Sequence, residues 1–209
     1  MEHRYLAGSS PSVVGSDPGS GSAAGRVRLW RMLALLAGYL PFYVVYFTMA
    51  QAPFSLPHAT NACGGLPILD SRWSYTARGA HDYLTACGSP GRTALAHQQL
   101  ADVVYPALYA ATLCAAYSYL LFTARLAGRW RLLLLLPPVV AALDYTENVG
   151  IWDLLTGYPD PGHLTTHLSV VTDAKLALGY AAIAVLAVLA VAALVVRLGP
   201  HLRHRPGSP

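Results

Sequence analysis

The chain has 209 residues, of which 55% are hydrophobic and only 11% charged, with a formal net charge of +4. About a quarter of the residues of a soluble domain are charged, so this composition excludes an ordinary water-soluble fold, and the recurrence of long uncharged apolar runs excludes a disordered chain. The basic excess forms no Lys/Arg stripe interleaved with aromatics, which argues against nucleic acid as a partner. Most of it instead flanks the apolar runs, where it carries topology information.

Residues 1–28, rich in Gly, Ser and Pro, bury too little apolar surface to order themselves and read as a disordered cytoplasmic arm. Crossing about 30 Å of hydrocarbon takes roughly 20 apolar residues at 1.5 Å each, and a first span fits residues 30–50. Its length, Pro41 and the tyrosines Tyr39, Tyr43 and Tyr46 favour a retained span over a cleaved signal segment, although Ala50-Gln51-Ala52 resembles a cleavage site. Residues 51–101 are too long for a structureless connection and predict a small outward-facing loop cap, cored by Asp70, Trp73, Tyr75 and Tyr83. Cys63 and Cys87 both lie in this cap, where they are either a disulfide on an oxidising side or two small unpaired residues; spacing alone leaves both open. Ser89-Pro90 has the pattern of an N-cap followed by proline, so a helix is expected to start there and run into the second span, residues 102–124. Cys114, inside that span, reads as packing.

The third span, residues 131–155, is uncharged only from Leu132 to Leu143 and crosses only if Asp144 and Glu147 lie inside it. Pro137 and Pro138 are expected to bend it by freeing backbone carbonyls. His163 and His167 stand at i, i+4, a spacing that suits two metal ligands, but no acidic third ligand shares their turn, so neither a metal nor any other cofactor is assigned. His81-Asp82 and His97 read as loop and surface residues. A fourth span, residues 172–196, precedes a cytoplasmic tail at 198–209. Arg26, Arg28 and Arg31, then Arg125, Arg129 and Arg131, then Arg197, Arg203 and Arg205 all fall on one side of this four-span domain, residues 29–197, which predicts cytoplasmic termini. The fold expected is all-α: an integral membrane four-helix bundle with the cap outside.

Asp144, Glu147 and Asn148 stand at i, i+3 and i+4 and project from one face of the third span, roughly 18–22 Å from its start. Ionised groups at such depth are costly and mark function by default, so they should face other helices. Asp102, Tyr105, Tyr109 and Thr112 form a matching stripe in the second span, and Thr172 and Lys175 in the fourth, with Gly179 offering close helix approach. Lys175 is the expected counter-ion, since two carboxylates so close do not both ionise easily. These residues predict a narrow polar cavity walled by tyrosines, with Asp144, Glu147, Asn148 and Lys175 at its base and Arg92, Asp102 and Tyr105 at its mouth. The other reading is a structural clamp in which Glu147 pairs with Lys175.

The strings Leu69-Asp70-Ser71-Arg72-Trp73-Ser74-Tyr75-Thr76, Gly88-Ser89-Pro90-Gly91-Arg92, Asp102-Val103-Val104-Tyr105-Pro106-Ala107-Leu108-Tyr109 and Asp144-Tyr145-Thr146-Glu147-Asn148 resemble a pattern in uncharacterised small four-pass membrane proteins with an Asp-x-x-Glu-Asn motif in the third helix. That resemblance covers residues 29–196 and implies an architecture without an activity. The function expected is binding of, or catalysis on, a small amphipathic or lipid-like molecule, with Asp144 or Glu147 as proton donor or base, Asn148 orienting, and Asp102, Tyr105, Tyr109, Lys175 and Arg92 binding. The alternative is a non-enzymatic carrier component or a structural subunit of a membrane assembly. The lipid bilayer is the expected partner in either case, and homo-oligomerisation is left open.

Overall fold

The computed structural model describes residues 18–160 and 165–203. Helix α1 spans Pro18–Thr48, α2 Leu56–Ala62, α3 Ala77–Asp102, α4 Tyr105–Thr123, α5 Leu136–Gly157 and α6 Thr165–Arg203, with 3-10 segments at Leu69–Ser71 and Gly128–Leu135. No strand occurs among the described residues. Four helical stretches, Ser22–Thr48, Ala77–Thr123, Gly128–Gly157 and His167–Gly199, are long and apolar enough to cross a membrane. Their outer faces agree, because Leu40 and Val44 on α1 and Ile183, Val188, Val191 and Leu194 on α6 are exposed. Apolar surface on that scale marks contact with lipid or protein rather than water.

Proline chemistry decides where these stretches break. An α-helix running on from α3 would need the N–H of residue 106 on the Asp102 carbonyl, and Pro106 has none. The chain turns at Val103 and Val104, and α5 supplies donors for the carbonyls left over: Asn148 Nδ2 reaches Asp102 O at 3.2 Å and Tyr145 OH reaches Val103 O at 2.9 Å. At the start of α5, Pro138 leaves the Leu134 carbonyl free, and the Cys114 thiol donates to it at 3.6 Å. Pro137 and Pro138 therefore sit in the first turn of α5, where a missing N–H costs nothing, instead of bending a helix from within. The expected helix start at Ser89-Pro90 is a restart, because Gly88, at φ 63° and ψ −176°, interrupts a helix that already began at Ala77. Such a conformation suits glycine and few other residues.

Within this all-helical fold α4, α5 and α6 contact one another pairwise, and α1 joins them through α4. Helix α1 also begins at Pro18, so residues 18–28 of the expected arm belong to it, and α6 continues to Arg203 into the expected tail. Trp73 is exposed and stacks on Tyr180 of α6 instead of filling the cap core, while His81, Asp82 and His97 lie on helix α3 rather than in a loop. No neighbour approaches the expected contact point at Gly179; the tight α5–α6 contact is Gly150 against Leu168.

Burial falls into layers along α5. Val140 and Ala141 pack with Tyr109 in the middle of the bundle, whereas Ile151 and Leu154 join Ala59, Ile68, Leu69, Tyr83 and Leu84 in a cap core. The cap is fastened by a Cys63–Cys87 disulfide between the end of α2 and α3. It is also hydrogen-bonded to α6: Asp173 accepts from Ser74 N and Ser74 Oγ at 2.9 Å each, and Ser169 Oγ accepts from Tyr75 N at 2.9 Å. Between the two apolar layers, on the same face of α5, lie Asp144, Glu147 and Asn148.

Candidate functional site

One face of α5 carries Val140, Ala141, Asp144, Glu147, Asn148, Ile151 and Leu154, all buried. The helical period that sends the apolar members into the core sends the three polar ones with them. Glu147 is 0% exposed, and its carboxylate is held by two groups of α6: the Thr172 hydroxyl donates to Oε1 and the Lys175 ammonium pairs with Oε2. Lys175, its side chain 12% exposed, also donates to Asp144 Oδ1 at 3.3 Å and to the backbone carbonyl of Asp70 at 3.2 Å. The lysine thus bridges both α5 acids and the underside of the cap. Tyr109 of α4 donates to Asp144 Oδ2 at 3.1 Å.

A second group of bonds ties α1, α3 and α5 together. Tyr46 OH donates to Asp102 Oδ1 at 2.7 Å and accepts from Gln98 Nε2. Asn148 grips the Asp102 carbonyl while its own Oδ1 is without a hydrogen-bond partner. Tyr105 does not bond to this group; its ring lies among those of Phe42, Tyr46, Phe47 and Tyr109, with centroids 5.1–6.4 Å away.

Asp70 closes the arrangement from above. It lies in the 3-10 turn of the cap, its side chain is buried, and its Oδ1 has no hydrogen-bond partner. Burial pushes the Asp70 carboxyl from the usual 3.8 up to about 7; the Lys175 ammonium opposes this rise, and the Glu147 and Asp144 carboxylates reinforce it. Burial likewise raises the Tyr75 phenol to about 12.

Of the residues singled out from sequence, Asp102, Tyr109, Asp144, Glu147, Asn148, Thr172 and Lys175 converge. Arg92 does not join them. Its guanidinium donates to the Leu84 carbonyl at 3.0 Å and covers the Tyr158 ring at 4.0 Å, closing the break at Gly88. Thr112 bonds to its own helix at Leu108 O. Sequence reasoning placed Asp70 only in a cap core and missed the roles of Tyr46 and Gln98. Tyr46 was legible as one more tyrosine of a stripe, and nothing in the spacing pairs it with Asp102.

A cavity of about 10 Å³ lies between the cap, α3 and the end of α5, and is lined mainly by Ile68, Leu84, Leu95, Ile151 and Leu154 with Asp70 and Gln99. It has room for about one water molecule. Where the cleft walled by tyrosines is expected, Tyr109, Thr172 and Lys175 bond to the carboxylates of Asp144 and Glu147 themselves. Among the described residues no group of three or more His, Cys, Asp and Glu side chains is arranged to hold a metal ion, and His163 lies outside the described residues.

No family model, curated protein or solved structure matches the chain. The chemistry of the site rests on four buried carboxyl groups, of which Asp144 and Glu147 pair with the ammonium of Lys175 while Asp70 and Asp102 have no ion pair among the described residues. One cation pairs with two of these four buried carboxyl groups, and the other two are held away from water without a counter-charge, which is costly.

Proposed function

We propose that this is a multi-pass membrane protein, oriented with its cap outward, whose acid–lysine cluster is an acid–base centre that binds or acts on a small amphipathic, lipid-like molecule. The surplus of acids over cations carries this reading. A structural clamp needs only the carboxylates that pair with Lys175, Glu147 and Asp144, whereas burial of Asp70 and Asp102 adds a desolvation cost without adding an ion pair. Groups held at such a cost within apolar helices are the ones that bind or transfer protons. In this reading Glu147 and Asp144 exchange protons with the molecule and Lys175 steadies whichever is ionised. Asn148, whose amide oxygen is unpartnered, orients it.

Two observations support the orientation. Arg28 reaches Ser118 and the Phe122 ring, and Arg197 reaches Tyr119, so basic flanks of α1 and α6 gather at the end of α4 far from the cap. Basic flanks are retained in the cytoplasm, and the disulfide at the opposite end suits an oxidising side. Entry to the closed cluster requires the cap to lift from α6, breaking the Ser74–Asp173 and Tyr75–Ser169 bonds.

A second reading, a non-enzymatic carrier component that handles only protons or small ions, is favoured by the pairing of Asp144 and Glu147 with Lys175, which engages their oxygens within the protein itself. Mass spectrometry of small molecules retained by the purified protein separates the two. An amphipathic molecule present in the wild type and depleted in a well-folded Glu147→Gln variant supports the acid–base centre. Identical profiles in both proteins would sink it and leave the carrier.

A further inference from the structure

We propose that the exposed Trp73–Tyr180 stack seats the cap on the lipid–water interface, so that the acid–lysine cluster lies at the depth of the lipid headgroups. Trp73 of the cap and Tyr180 of α6 lie nearly parallel, at 9° with centroids 6.2 Å apart, yet are 53% and 66% exposed. Two large rings stacked on each other and left uncovered contribute little to the core. Rings with an apolar body and a polar tip favour the boundary between hydrocarbon and headgroups.

The length of α6 sets the depth. Arg197 marks the basic end of the helix, and seventeen residues separate it from Tyr180, roughly 26 Å at 1.5 Å per residue, close to the thickness of the hydrocarbon. Exposed tryptophans mark the opposite boundary as well, for Trp30 adjoins Arg31 and Trp130 stands between Arg129 and Arg131. Lys175 lies five residues beyond Tyr180 on the cap side, roughly 7 Å above the upper ring. The cluster therefore belongs to the headgroup layer, covered by a cap that rests on lipid. This places it higher than counting from the start of the third span suggests, because α6 extends well above the hydrocarbon before meeting the cap.

A headgroup-level site meets the polar end of an amphipathic molecule, not its chain. The surplus of acids suits a headgroup that donates hydrogen bonds or carries an amine, arriving sideways beneath Trp73. The choice of headgroup rests on the acid–base reading above; the seating of the cap rests on the rings and the helix length alone.

Fluorescence of the full chain in phosphatidylcholine nanodiscs tests it, with bromines placed high on the acyl chains or near their ends, and Trp73 isolated by comparison with Trp73→Phe. The Trp73 signal is expected to be quenched about twofold more strongly by shallow bromines than by deep ones, as an interfacial ring requires. A variant with Trp30, Trp130 and Trp152 all replaced by Phe reports the same residue should Trp73→Phe misfold. Equal or stronger quenching by deep bromines overturns the proposal, as does quenching by aqueous iodide with none by either lipid. These outcomes are independent of lipid retention in Glu147→Gln, so failure of the seating and failure of the acid–base centre are told apart.

Discussion

Asp70 is the member of the cluster carried by the cap, and its titration links closure of the site to pH. Its carboxyl sits at 3.8 when solvated and at about 7 when buried beneath the cap. Between those values the folded protein holds a proton that the unfolded chain has released, so stability is fullest below about pH 4 and declines until about pH 7. The melting temperature of the purified protein should therefore be lower at pH 8 than at pH 5, by the equivalent of about 2–4 kcal/mol. Asp70→Asn should remove that part of the slope. A melting temperature that rises over this interval, or the same slope in the variant, contradicts the burial of an acid here. Lys175 shows why the site tolerates so many carboxyls: one ammonium bonded to Glu147, Asp144 and the Asp70 carbonyl joins both layers of acids.

Among the elements, the junction of α2 with α3 is the least forgiving. Gly91 faces α2 so closely that a Cβ would stand 3.0 Å from both the Ala62 carbonyl oxygen and the Cys63 sulfur, and 2.9 Å from Cys87 Cβ. Backbone and disulfide cannot move aside as a flexible side chain would. Gly91→Val should cost about 1–3 kcal/mol by overpacking and loosen the cap, read as a lower melting temperature and faster proteolysis between residues 64 and 76. Unchanged protection would show that the contact is looser than these distances imply. The breaks at Pro106 and Pro138 follow a common rule, in which proline frees the carbonyl four residues back and a neighbouring helix supplies a donor. At Pro106 that donor is Asn148, so the break that ends α3 also fixes the amide of the site.

Along the bundle the arginines that flank α1 and α6, Arg28 and Arg197, gather at one end, and the acidic cluster and disulfide lie toward the other. If the cap faces outward, a cysteine at Asp82 in a Cys114→Ser background should react with a membrane-impermeant maleimide in intact cells, and one at Ala127 only after lysis. The reverse pattern would invert the topology. Sequence alone determined the four apolar stretches, the polar face of α5 and the identity of Lys175 as its partner, because hydropathy and helical period are local properties that survive any packing. It could not determine that Tyr46 would bond to Asp102, that Asp70 would be buried above Lys175, or that Arg92 would be diverted to the α3 break. Those outcomes depend on which elements come to lie against α5 and α6 across more than fifty residues of chain, and only the packing of the cap decides them.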